Sequence, residues 1–313
     1  MSQASKTKPP AFLSKGFRPF FLGATFYALV SMIYWGAVYF FGFSLDMGSL
    51  TPFQWHAHSM VFGYATAVIA GFLLTAVTNW TGQETVTGRP LLALFIVWLL
   101  ARLSWIFVPY EPLYPGLLDL VYLLFLFIVV ARPIIKVRQW RQLAIISKLL
   151  IIVMAYIIFL LGCLGLIPSG AYYGIYLALI TEITLILTIA RRVFPFFAQA
   201  GLGLINPPYS PLWIDRSSLV LLLLWLVMFI FFKESSLTAA LSFVISVILI
   251  IRLYYWYTPT LWSASLLWSL YISLGFIALG FVLLSSAYFI ERLHYLGIHA
   301  MAYGGIGLIT FSM

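Results

Sequence analysis

The chain is poor in almost everything that soluble enzymes use. Of 313 residues, 8% are charged, eight are acidic, four are histidine and one is cysteine. A soluble domain carries about 25% charged residues. The lone Cys163 excludes an internal disulfide, and no Cys-x-x-Cys-His run exists for covalent haem attachment. Cys163 itself reads as a small core hydrophobe. No glycine-rich nucleotide loop, nucleophile elbow or zinc-protease motif occurs, so no residue stands out as catalytic. The first seventeen residues are polar and contain proline, with no cleavage site after the first apolar run, so no cleavable signal peptide is expected.

What is abundant is apolar length. Hydrophobic residues make up 64% of the chain, and the mean hydropathy is +1.07. A bilayer-spanning helix needs roughly 20 apolar residues. Ten such spans are expected: 18–41, 57–79, 90–109, 113–131, 145–167, 170–190, 216–233, 237–254, 264–285 and 293–313. The runs are continuous rather than alternating, which excludes a barrel. The expected fold is an all-α polytopic transmembrane bundle. Residues 1–17 form a cytoplasmic tail and 18–313 a single helical membrane domain. No internal repeat is evident by eye.

Basic residues orient the chain. With the N-terminus in the cytoplasm, fourteen of the seventeen lie in or beside cytoplasmic segments, and only Lys233 and Arg292 fall in outer loops. The remaining one, Arg102, lies inside span three. The net charge of +9 is therefore a topological signal and not a nucleic-acid footprint. The partner that composition implies is the lipid bilayer.

This topology places all four histidines toward the outer side. His56 and His58 open span two, in Trp55-His56-Ala57-His58-Ser59-Met60. His294 opens span ten and His299 follows it. Polar groups at such places usually mark a site, and histidine is the common protein ligand for haem iron, copper and zinc. Residues two apart on a helix point about 200° apart, so His56 and His58 do not readily share one metal. The favoured reading has His58 and His299 as ligands, one from each span, holding haem between them. For His56, ligation and a structural role weigh evenly, and His294 reads as an interfacial histidine. Small residues every fourth position (Ser59, Gly63, Ala67, Gly71, Thr75) permit close helix packing, or a flat wall for a macrocycle.

Three charges fall within spans. Arg102 and Asp119 flank the turn Pro109-Tyr110-Glu111-Pro112 symmetrically and should pair across a hairpin. Arg102 has a second reading, as the partner of a cofactor carboxylate. Glu182 lies mid-span among Thr181, Thr184 and Thr188 with no evident cationic partner. Arg191-Arg192-Val193-Phe194-Pro195-Phe196-Phe197 reads as a basic–aromatic anchor at the cytoplasmic surface.

The block from Trp55 to Gly63, continuing through Ala67–Val77 to Asn79-Trp80-Thr81-Gly82, resembles the signature of the NnrS family. Arg18-Pro19-Phe20-Phe21, Arg192-Val193-Phe194-Pro195-Phe196-Phe197, Leu266-Leu267-Trp268 and His299-Ala300-Met301 are similar to its other segments. The resemblance implies a multi-pass protein of the bacterial inner membrane that contains non-covalent b-type haem and copper. It also implies a part in denitrification and nitric oxide tolerance, with nitric oxide as a small ligand. The family's histidines match His56, His58 and His299, and the metal-ligand candidates are these three and His294. This chain departs from the pattern at Ser59, where the family often has glutamate, and at Ala190-Arg191, where it has two glycines. Competing readings are a membrane transporter and an assembly factor that hands on haem or metal.

Overall fold

The computed structural model describes residues 9–43 and 47–311. Part of the expected N-terminal tail, residues 1–8, lies outside them. Among the described residues there is no strand, and nine helices are long and apolar enough to cross a membrane. The protein is a multi-pass membrane protein. Helices suit lipid because they satisfy their own backbone hydrogen bonds.

The chain divides into two compact units, Met1–Ala178 and Leu179–Met313. Unit 1 holds α1 (Phe17–Phe41), α2 (Pro52–His58), the π turn π1 (Ser59–Ala65), α3 (Thr66–Thr81), α4 (Arg89–Phe107), α5 (Leu113–Lys136) and α6 (Leu143–Cys163). Helix α7 (Gly170–Leu202) starts in unit 1 and ends in unit 2. Unit 2 continues with α8 (Leu212–Phe231), α9 (Ser236–Trp256), α10 (Ser265–Ser286), α11 (Leu293–His299), the π turn π2 (Ala300–Gly307) and α12 (Leu308–Phe311).

Nine of the ten expected spans correspond to these helices, with corrections at the ends; the tenth, expected over 293–313, is divided among α11, π2 and α12 as far as Phe311 and is not one of the nine. Span two starts at Pro52, not at 57. Thr51 caps it: its hydroxyl accepts from the Gln54 amide at 3.2 Å, and the Gln54 side chain accepts from the Thr51 amide at 2.9 Å. Proline in the first turn then costs no hydrogen bond. His56 and His58 therefore lie in the second turn of the helix instead of opening it. Span six runs on to Leu202 through Pro195, so the segment Arg191–Phe197 is helix, not a surface loop.

Unit 1 sorts its connections onto two ends. At one end the Gly88 amide donates to the Leu13 carbonyl (2.9 Å), Lys136 Nζ to Gln83 Oε1 (2.9 Å), and Gln139 Nε2 to the Trp80 carbonyl (2.5 Å). At the other, Gly48 lies against the Tyr110 backbone and Ser49 Oγ donates to the Cys163 carbonyl at 2.6 Å. The first end carries Arg89, Lys136 and Arg138, as the basic-residue rule requires. Helix α2 starts at the second.

Helix packing uses the small residues. Added side chains at Gly16 or Gly71 would meet Leu74 and Phe21 respectively, so α1 lies close along α3. Gly162, Gly170 and Gly174 bring α6 and α7 into backbone contact. In unit 2, Arg252 is buried and donates to Asp215 Oδ1 and Ser218 Oγ, both at 3.0 Å, with Arg191 Nη1 3.9 Å from Asp215 Oδ2. That cluster joins α7, α8 and α9. Nothing in the spacing announced it.

Candidate functional site

Helix α2 ends at His58, and there the backbone loosens from α to π. A π turn adds a residue to the turn and is frequent at functional positions. It needs room and outside donors. Gly63 supplies the room: a Cβ there would meet the Tyr27 ring and Arg102 Nη1. The Gly63 carbonyl accepts from Trp98 Nε1 at 3.0 Å, and the Thr66 carbonyl from the Tyr122 hydroxyl at 3.1 Å.

His58 is fully buried. Its Nε2 lies 3.2 Å from Asp119 Oδ2 without hydrogen-bond alignment. Asp119 also accepts from Trp105 Nε1 (2.8 Å) and the Tyr156 hydroxyl (3.1 Å), and pairs with Arg102 through Nη2. The hairpin pairing expected of Arg102 and Asp119 is present. Phe159 stacks on the His58 ring, centroids 4.9 Å apart, and Trp105 lies at 4.4 Å. The rest of the Arg102 fork, Nη1 and Nε, is buried with no hydrogen-bond partner among the described residues, as are the Tyr27 hydroxyl and Ser59 Oγ. The guanidinium carbon sits 5.5 Å from the Tyr27 ring centroid.

His56 faces elsewhere, as the two-residue spacing demands. It stacks on Trp35 of α1, centroids 4.5 Å apart, planes within 16°. In unit 2, His294 is buried and parallel to Phe229, centroids 5.8 Å apart. His299 is exposed, and its Nδ1 lies 2.8 Å from the Tyr295 carbonyl. Among the described residues no group of three or more His, Cys, Asp or Glu side chains could hold a metal ion.

The structure shows a local arrangement that occurs twice. Helices α2 and α11 have the same length, and each ends on a histidine that leads into a π turn. In this register His58-Ser59-Met60-Val61-Phe62-Gly63 matches His299-Ala300-Met301-Ala302-Tyr303-Gly304. The matched glycines do the same work. Gly63 abuts Tyr27 of the preceding long helix α1, and Gly304 abuts Phe276 of the preceding long helix α10. The expectation of no repeat is thus corrected for this segment. Only His, Met and Gly are identical, too few to catch the eye without the matched helix ends.

The NnrS protein family matches residues 11–313. The chain belongs to the NnrS family. No curated protein and no solved structure matches.

The NnrS resemblance implies haem, and the side chains present fit that group as follows. A ligating histidine commonly gives its second ring nitrogen to a carboxylate or a backbone carbonyl, which fixes the tautomer. His58 has Asp119 beside Nε2, and Nδ1 is the other donor atom. His299 has the Tyr295 carbonyl at Nδ1, and Nε2 is the other. As donor sets, both suit an imidazole ligand. Arg102, with two unused donors, suits an acidic group.

Proposed function

We propose that this NnrS-family protein binds non-covalent b-type haem at a histidine ending an α-to-π helix, and that it serves nitric oxide tolerance in the bacterial inner membrane. The supporting observation is the repeated junction itself: each unit presents one histidine, His58 or His299, at such a bend, with an oxygen acceptor beside one ring nitrogen. When bound, the haem iron supplies a coordination position for a small gas. The protein's part is to fix the imidazole, exclude water and set the local charge. The buried Arg102–Asp119 pair and the apolar helices contribute the last two. Copper belongs to the same proposal through the family, with His56 and His294 as the remaining histidines.

The test is an optical spectrum and metal analysis of detergent-purified protein. A Soret band that shifts on adding nitric oxide to the reduced protein supports the reading. Protein purified from haem-replete cells without a Soret band rejects it.

One observation favours a second reading, a transporter. Glu182 on α7 is fully buried, and neither carboxylate oxygen has a hydrogen-bond partner among the described residues. Buried acids of this kind mark ion or proton paths. Proton-driven solute uptake by liposomes, lost in Glu182→Gln, would favour that reading.

A further inference from the structure

At the end of unit 2 where α8 and α10 begin and α9 finishes, positive charge outweighs negative. The charged residues there are Arg191, Arg192, Asp215, Arg216 and Arg252, four arginines against one carboxylate. Asp215 serves Arg252 better than Arg191. Arg252 Nη2 donates to Asp215 Oδ1 and Ser218 Oγ at 3.0 Å and to the Ile214 carbonyl at 3.4 Å. Arg191 Nη1 lies 3.9 Å from Asp215 Oδ2, too far for a hydrogen bond. Arg252 thus bonds through Nη2 alone, and Arg191 makes no hydrogen bond among the described residues, although its Nε is buried. The groups are largely withdrawn from water: the side chains of Arg252, Asp215 and Arg191 are 6%, 17% and 29% exposed. Beside them a narrow cleft runs between α7, α9 and α10, with Arg252 and Trp256 set among Leu187, Leu249, Leu253 and Leu274.

We propose that this end of unit 2 binds the headgroup of an anionic phospholipid, its phosphate held by Arg191 and Arg252. A charge set among membrane helices needs a counter-charge, and Asp215 compensates one of the two guanidinium groups. The second calls for an anion with several acceptor oxygens, since a guanidinium fork gives two parallel N–H···O bonds to a phosphate. The depth suits a headgroup. Trp213, Tyr254 and Trp262 lie at this same end and are all exposed, and such tryptophans and tyrosines mark the membrane–water interface. Arg216 is exposed at the same level. Basic pockets between helices at that level take lipid headgroups. The leucines beside Arg252 offer apolar surface to the part of a lipid that follows the phosphate, which favours a lipid over free phosphate.

The experiment titrates detergent-purified, delipidated protein with dioleoylphosphatidylglycerol in mixed micelles and follows bound lipid by native mass spectrometry and the unfolding temperature. Dioleoylphosphatidylcholine and inorganic phosphate are the comparisons. Wild type should bind phosphatidylglycerol and be stabilised by it, and should respond little to either comparison. Arg191→Gln leaves the Arg252–Asp215 pair intact and should weaken binding about tenfold, as the loss of a charged hydrogen bond does. Arg292→Gln removes an exposed positive charge at the other end of unit 2 and should bind as wild type does. Equal weakening in both variants means general attraction of charge and overturns the proposal, as does unchanged binding in Arg191→Gln. Equal binding of the two lipids by wild type overturns it as well. Stabilisation by inorganic phosphate as large as that by phosphatidylglycerol assigns the site to a free oxyanion and overturns the lipid. Should Arg191→Gln not fold, Arg191→Lys replaces the fork by a point charge and should also bind more weakly; undiminished binding there overturns the proposal.

Discussion

Asp119 answers to four side chains from three helices: His58 on α2, Arg102 and Trp105 on α4, and Tyr156 on α6. Removing one member of a buried ion pair strands the other and typically costs 3–5 kcal/mol. Asp119→Ala should therefore lower the unfolding temperature in detergent sharply. The double variant Arg102→Met/Asp119→Leu should recover most of that loss, because no charge is then stranded. If the double variant falls as far as the sum of the two single changes, the pair is not the source of the stability. The pairing of Arg102 with Asp119 was legible in the sequence, because lipid leaves a charge few choices and the hairpin turn fixed the depth. The place of His58 in the same network was not. Its contact with Asp119 joins residues far apart in sequence, and nothing in hydropathy reports which way an imidazole points.

The elements repeat this division. Long apolar runs betray helices, so nine of the ten expected spans could be read. A π turn leaves no mark in hydropathy, since it changes ring size and not composition, and π1 and π2 went unseen. The start of α2 was read five residues late, although Thr51, Pro52 and Gln54 spell a cap that the helix uses. Replacing an N-cap threonine by alanine costs about 1 kcal/mol. Thr51→Ala should therefore lower thermal stability modestly, and Thr51→Ser should hardly change it. Equal losses in both variants would mean that the cap does not secure the turn leading to His58.

For the whole molecule, the testable quantity is sidedness. The segments 82–88 and 136–142 share one end of unit 1, and 47–51 shares the other with 108–112. In a variant without Cys163, cysteines at Gln83 and Lys136 should resist a membrane-impermeant thiol reagent in intact cells with a permeable outer layer, and one at Tyr110 should react. Labelling of Gln83 and Tyr110 from the same side would refute the topology. The alternation of the connections between two ends of unit 1 was legible in the sequence, because each apolar run is long enough to carry the chain from one end to the other. The split into two compact units was not, because the boundary falls inside α7, a continuous apolar helix with no linker to mark it.

The burial of His58 also has a consequence for biogenesis. Chains are made from the N-terminus and fold as they emerge, so α2 reaches the bilayer before α6 has been translated. Tyr156 and Phe159, which close over His58, are supplied by that late helix. For part of its synthesis the imidazole is therefore open to whatever the nascent membrane environment contains, and only the arrival of α6 shuts it in.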